Sequence, residues 1–219
     1  MLRLHRFFRG FPSTLSKLRR LTMRRCPAMT GSCIRALAGA APGLTHLDVS
    51  DCMSLSDVRA VVSLKRLKVQ CGKELQHSVG LQPLTRGNAT QALTVSGCPL
   101  SPFGLHGIIP RLTTLTSLRL RGVGLLDAAW EGCVGLPRTA YKASRLQVLD
   151  VSENPRLSSS VIIPTIDLCP GLRTLMLAGC FRGVTDEVLA TAASRCQELR
   201  VLSIPRFVCG QSFQLAIPL

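Results

Sequence analysis

A phrase of leucines returns about every 26 residues along this chain, and that return limits its fold more than any other feature. The clearest copy runs Leu172-Arg173-Thr174-Leu175-Met176-Leu177-Ala178-Gly179-Cys180 and is followed by Val184-Thr185-Asp186. Nearly the same phrase stands at Leu44-Thr45-His46-Leu47-Asp48-Val49-Ser50-Asp51-Cys52, and again at Leu146-Gln147-Val148-Leu149-Asp150-Val151-Ser152-Glu153-Asn154. A unit of this length cannot bury its own apolar face. Stacked units share one core and expose a long surface suited to binding.

The phrase reads L-x-x-L-x-L-x-x-C/N. Its L-x-L step has period two, which places those side chains on one face of a short strand. The Cys or Asn at position nine is small enough to turn inward and serve the bending backbone. The chain then returns as a helix, as over residues 185–196, where Thr185 is the expected cap and Asp186 and Glu187 suit the positive end of the helix dipole. Laid along the chain, the template starts at Leu18, Leu44, Leu64, Thr90, Leu115, Leu146, Leu172 and Leu199. Cys26, Cys52, Cys98 and Cys180 occupy position nine in four copies, and Asn154 in another.

These copies resemble the cysteine-containing leucine-rich repeats of F-box-type substrate receptors and related mitochondrial proteins, over roughly residues 18 to 207. The resemblance implies an α/β leucine-rich repeat solenoid of about eight irregular repeats, with a short parallel strand per repeat and helices on the convex side. The domain division that follows is a basic amphipathic segment over 1–17 and a repeat domain over 18–219. Some copies depart from the pattern: Cys71 comes one place early, Thr90 replaces a leucine, and Val123 fills a cysteine slot. The stretch from about 64 to 140 is therefore expected to be the irregular part, with Gly122 and Gly124 forming an irregular turn.

Charge is the second strong feature. The net charge is +15, and residues 1 to 47 carry nine Arg or Lys and no acid. In the first eleven residues Leu4, Phe8 and Phe11 fall on one side of a helix while Arg3, Arg6 and Arg9 step along another. Arginine-rich, acid-free and amphipathic describes a mitochondrial transit segment, so the matrix is the expected location; a basic cap on the first repeat in a cytoplasmic protein is the alternative. No run of about 20 apolar residues is present to span a membrane. The ten cysteines include no C-x-x-C pair, and their regular placement reads as buried reduced thiols.

Residues between the leucines are expected to line the concave side. The basic ones are Arg19, Arg20, Arg24, Arg25, Lys65, Arg66, Lys68, Arg119, Arg121, Arg173, Arg200 and Arg206. Guanidinium groups pair with phosphate through two hydrogen bonds, so these twelve are the candidates for structured RNA or for acidic neighbouring proteins. No RRM signature, KH loop or basic-aromatic platform is visible, which points to backbone rather than base contacts. His46 and Asp48 are close enough for acid–base work, but their place on a repeat surface favours binding. Gly122-Val123-Gly124 lacks the third glycine of a dinucleotide loop, and no P-loop, H-E-x-x-H or G-x-S-x-G occurs. No enzyme, cofactor, metal or small-molecule substrate is implied.

The expected function is a non-catalytic scaffold: a structural subunit or assembly factor of a mitochondrial ribonucleoprotein, the mitochondrial ribosome first among them. An assembly or accessory factor of a respiratory complex or ATP synthase is the alternative. A ubiquitin-ligase substrate receptor comes third, because only about 17 residues precede Leu18 and they contain no F-box-like helical segment.

Overall fold

The computed structural model describes residues 15–52, 65–70, 90–97, 114–134, 145–204 and 213–216. Within them the chain is α/β, with nine strands in one sheet and four helices. The strands are β1 (Arg20–Thr22), β2 (His46–Asp48), β3 (Arg66–Gln70), β4 (Ala92–Ser96), β5 (Ser117–Arg121), β6 (Val148–Asp150), β7 (Thr174–Met176), β8 (Val201–Ile204) and β9 (Phe213–Ala216). The helices are α1 (Gly31–Ala40), α2 (Asp127–Val134), α3 (Ser159–Leu168) and α4 (Asp186–Arg195).

Strand order in the sheet follows chain order, β1 to β9. The first eight strands are parallel, and each starts at position three of its sequence copy. Arg20, His46, Arg66, Ala92, Ser117, Val148, Thr174 and Val201 therefore stand in a single row across the sheet. One acceptor repeats at every step: the carbonyl of position two takes the N–H groups of positions two and three in the next copy. It begins with Thr45 and His46 on Arg19 O at 2.9 and 3.0 Å and ends with Arg200 and Val201 on Arg173 O at 2.9 and 3.0 Å.

The expected irregularity of the middle does not extend to its strands. β3, β4 and β5 are five residues each, longer than any other parallel strand among the described residues, and pair in the template register. Five-residue strands with alternating burial at β4 and β5 make longer ladders than the three- and four-residue strands elsewhere. Gly122 is likewise regular. It occupies position eight, where Arg25, Asp51, Gly97, Glu153 and Gly179 also have φ between 53° and 79°. A left-handed residue there reverses the chain at the strand's end. Gly179 has a second reason: a Cβ on it would stand 3.1 Å from the Glu153 Cα of the preceding copy.

Burial follows the period-two expectation. Leu47, Val49, Leu93, Val95, Leu118, Leu120, Leu149, Val151, Leu175 and Leu177 point to one face and are buried. There they join Ile34 and Leu37 of α1, Trp130 of α2, Ile162 and Ile166 of α3, and Val188 of α4 in one apolar cluster. Helix ends fall at fixed template places, since Ala41, Cys169 and Cys196 cap α1, α3 and α4 three residues before Leu44, Leu172 and Leu199. At α4 the Thr185 hydroxyl accepts the Val188 N–H, with Asp186 and Glu187 in the first turn, as its sequence indicates.

In three copies the position-nine side chain ties the turn to the copy before it, while Val123 at the same position has no polar atom to do so. Cys52 Sγ donates to Met23 O and Cys180 Sγ to Val151 O, both at 3.1 Å. Asn154 makes the same link to Leu120 O at 2.8 Å, and its Oδ1 also accepts the Val123 and Leu125 N–H groups at 3.2 and 3.0 Å. An amide has both donors and an acceptor, so it can hold a turn that a thiol would only half satisfy.

β9 runs antiparallel to β8, pairing Val201 with Ala216 and Ile204 with Phe213. It carries no leucine phrase and stands outside the expected one-strand-per-repeat scheme. Of the segment assigned to 1–17, residues 1–14 lie outside the described residues; Leu15 closes a turn with Leu18 and packs on the core.

Leu175→Ala should lower stability by about 2–5 kcal/mol, the range for emptying a buried leucine site. Asn154→Ala should cost about 1–3 kcal/mol for each backbone group left unmatched. Urea unfolding of both variants checks the register, and a negligible loss in either would place that side chain outside the core.

Candidate functional site

The sheet's second face is formed by template positions three and five, and its side chains are exposed or half-buried along β1, β2 and β5. Across β1 to β5 this face sinks into an open hollow of about 480 Å³. Arg20, Arg66, Lys68 and Arg119 line it together with His46, Asp48, Thr22, Gln91, Thr94, Thr116 and Ser117. With parallel strands roughly 4.8 Å apart, the four cations spread over about 20 Å from β1 to β5. Among the described residues no Phe, Tyr or Trp lines the hollow, and its one ring is the His46 imidazole.

Asp48 contributes little negative field to the hollow. Its Oδ2 takes the Arg24 guanidinium at 2.7 Å, and its Oδ1 takes the Ser50 amide at 3.1 Å and the Ser50 hydroxyl. Burial opposes ionisation of Asp48, but the bonds from Ser50 and Arg24 outweigh it and hold the carboxyl below its usual range. His46 is displaced the other way for a base. Burial first, then the charges of Arg20, Arg66 and Lys65, lower its affinity for a proton. The hydrogen bonds of this pair run to Ser50, Arg24 and Thr45, and none joins His46 to Asp48.

Of the twelve basic candidates, the hollow gathers Arg20, Arg66, Lys68 and Arg119. The other described candidates do not line it, although Arg121, two residues after Arg119 on β5, shares its face at the strand's end. Arg19, Lys65, Arg173 and Arg200 occupy position two, one residue ahead of their strands, at the strands' N-terminal rim. Arg19 donates to the Ser16 and Gly43 carbonyls, and Arg173 pairs with Glu198 at 2.8 Å. Arg24 and Arg25 follow β1 and Arg121 ends β5, at the opposite rim. Arg24 is paired with Asp48, Arg121 with Glu153 at 2.7 Å, and Arg25 forms the left-handed turn. Arg206 lies outside the described residues. Period two separates positions three, five and seven from two and eight, and position seven is set apart only because it stands at or beyond the strand's end. The same alternation finds His46, whose place in the basic row the sequence reading did not use.

The face changes character beyond β5. Positions three and five of β6, β7 and β8 carry Val148, Asp150, Thr174, Met176, Val201 and Ser203, with Asp150 buried and bonded to the Ser152 amide. Its cations are thus concentrated toward β1.

Cys26, Cys33, Cys52, Cys169, Cys180 and Cys196 are thiols in this structure, all buried except the half-buried Cys26. Burial pushes the Cys180 thiol up to about 11 and raises Cys52 and Cys196 as well. Among the described residues no group of His, Cys, Asp or Glu is arranged to hold a metal ion, and no helix is long and apolar enough to cross a membrane. No protein-family model matches the chain, and no curated protein matches it.

Two outcomes follow from these environments. The native Asp48 pKa lies below its unfolded value near 3.9, so the unfolded chain binds more protons in that interval. Its contribution to stability should be complete above the unfolded value and lost as pH falls through the native one. Asp48→Asn should flatten that acid limb in urea titrations; an unchanged limb would remove the ion pair from the account. Under native conditions an alkylating reagent should label Cys26 well before Cys180, and equal rates by mass spectrometry would mean that the Cys180 turn opens freely.

Proposed function

We propose that this chain is a leucine-rich repeat solenoid of the cysteine-containing type, acting as a non-catalytic scaffold that binds the phosphate backbone of structured RNA. The observation that carries the reading is the convergence of Arg20, Arg66, Lys68 and Arg119 on one open hollow whose acid, Asp48, is already neutralised by Arg24. Four cations on β1, β3 and β5, spread over about 20 Å, offer several contacts to a phosphate backbone, and the polar lining of Thr22, Thr94, Thr116 and Ser117 suits sugar and phosphate oxygens. A hollow whose described lining has no Phe, Tyr or Trp offers bases the single ring of His46 and no extended stacking platform, which favours backbone contact over sequence reading. The identical register of eight parallel strands supports the solenoid.

The arginine-rich, acid-free first eleven residues set this scaffold in the mitochondrial matrix, as a subunit or assembly factor of a ribonucleoprotein such as the mitochondrial ribosome. One observation favours a second reading. The face over β6 to β8 carries Val148, Thr174, Met176 and Val201, a surface better suited to a protein neighbour than to RNA. On that basis the chain would act in assembly of a respiratory complex or ATP synthase.

Sedimentation from a mitochondrial lysate separates the two. Migration with a large particle that collapses on ribonuclease treatment supports the RNA scaffold, and a nuclease-resistant complex supports the second reading. Glu substitutions at Arg20, Arg66, Lys68 and Arg119 should weaken RNA binding and lower the salt slope by about 0.7–0.9 per phosphate contact removed. Glu substitutions at Arg173 and Arg200 should change it much less, and equal effects of the two sets would sink the hollow as the site.

A further inference from the structure

The hydrogen-bond pattern around His46 fixes which of its ring nitrogens carries hydrogen. His46 Nδ1 lies 2.9 Å from the Thr45 hydroxyl. That hydroxyl has one hydrogen, and it is donated to Arg19 O at 3.0 Å. The same donation recurs at position two of the fifth copy, from Thr116 to Gln91 O at 3.0 Å, so it belongs to the architecture of the sheet. With its hydrogen committed, Thr45 can only accept, and Nδ1 must donate. The neutral ring therefore holds a bare lone pair on Nε2, for which the described residues provide no partner.

That lone pair occupies an unusual place. His46 stands in the sheet row directly between Arg20 of β1 and Arg66 of β3, on the wall of the hollow. A phosphate held by both guanidinium groups meets His46 between them. Two lone pairs repel, so a phosphate oxygen that carries no hydrogen of its own can approach Nε2 only when that nitrogen is protonated.

We propose that Arg20, His46 and Arg66 form a seat for one phosphate group, and that filling the seat places a proton on His46 Nε2. The proposal rests on the reading of the hollow as a phosphate-binding surface. One N–H bond forms, the proton comes from solvent or buffer acid, and no electrons are transferred.

The charged surroundings give the coupling its direction. Arg20 faces His46 from β1, where Arg19 is held by the Ser16 and Gly43 carbonyls. From β3 and the residue before it come Arg66, Lys68 and Lys65, and Arg119 of β5 lines the same hollow. Asp48, on the same strand as His46, is committed to Ser50 and Arg24. In the empty hollow, burial and then Arg20, Arg66 and Lys65 disfavour the charged ring. A bound phosphate offsets those cations and gives Nε2–H an acceptor. Proton uptake and phosphate binding thus strengthen each other.

The test uses the full chain and follows the His46 ring by nuclear magnetic resonance across pH, with and without inorganic phosphate; His46→Gln assigns the signal. In parallel, the affinity for an RNA hairpin is measured at constant salt between about pH 8 and pH 6. Phosphate should raise the His46 titration midpoint. Hairpin affinity should rise as pH falls, by at most about tenfold per pH unit for a single proton, while His46→Gln gives a flat profile. Hairpins with and without a 5′-monophosphate identify the source: equal pH dependence assigns the seat to backbone diesters, and dependence only with the 5′ group assigns it to a terminal monoester. A hairpin that binds without moving the His46 midpoint overturns the seat and leaves the RNA reading standing. A midpoint raised by inorganic phosphate with no hairpin binding retains the seat and overturns the RNA reading. If neither responds, both fall.

Discussion

Every other feature of this molecule depends on strand register. Side chains alternate with a period of two, so a slip of one residue in any strand would send its leucines to the open face and its arginines into the core. Two devices oppose the slip. The position-two carbonyl takes two N–H groups from the next copy at each step, and the position-nine side chains of Cys52, Asn154 and Cys180 fasten their turns to the copy before. The first is pure backbone and tolerates almost any sequence. The second needs a small buried donor, which explains why Cys and Asn recur there in a chain whose cysteines form no disulfides among the described residues.

The basic hollow is a by-product of the same register. Arg20 and Arg66 are 46 positions apart in sequence, yet they share a row with only His46 between them. Lys68 and Arg119 enter through the neighbouring row of position five. Cations at those two positions reinforce one another across strands, whereas cations at positions seven and two find carboxylates: Arg24 meets Asp48, Arg121 meets Glu153 and Arg173 meets Glu198. Exposed pairs such as Arg121–Glu153 add little stability. Their effect is to remove those arginines from the charge available to a ligand.

The starts of all eight parallel strands were legible in the sequence, including those at Leu64, Thr90 and Leu115 where the phrase is damaged. They survived because position four and position six remain apolar in each: Leu67 and Val69, Leu93 and Val95, Leu118 and Leu120. Less legible was the left-handed position eight. Gly97, Gly122 and Gly179 signal it, but Arg25 and Glu153 adopt the same φ with their N–H groups on the Ser50 and Ala178 carbonyls, and Asp51, a residue that tolerates this region, adopts it too. β9 was invisible, since antiparallel pairing needs only a free edge and Phe213–Ala216 carries no phrase of its own. At the site, the arginines were recognised as a group, but their division between hollow and rims depends on both the alternation and how far along its strand each one stands. The role of His46 depended on where the Thr45 hydroxyl sends its hydrogen, which no sequence pattern encodes.

The reversal at β9 also gives the array a direction in which it can evolve. A duplicated copy inserted between β1 and β8 would find a parallel neighbour on each side and the same carbonyl ladder to join. A copy appended after β8 would meet an edge already occupied by a strand running the other way. Insertion of a further copy is therefore open between β1 and β8 and closed at the edge of β8 that β9 occupies.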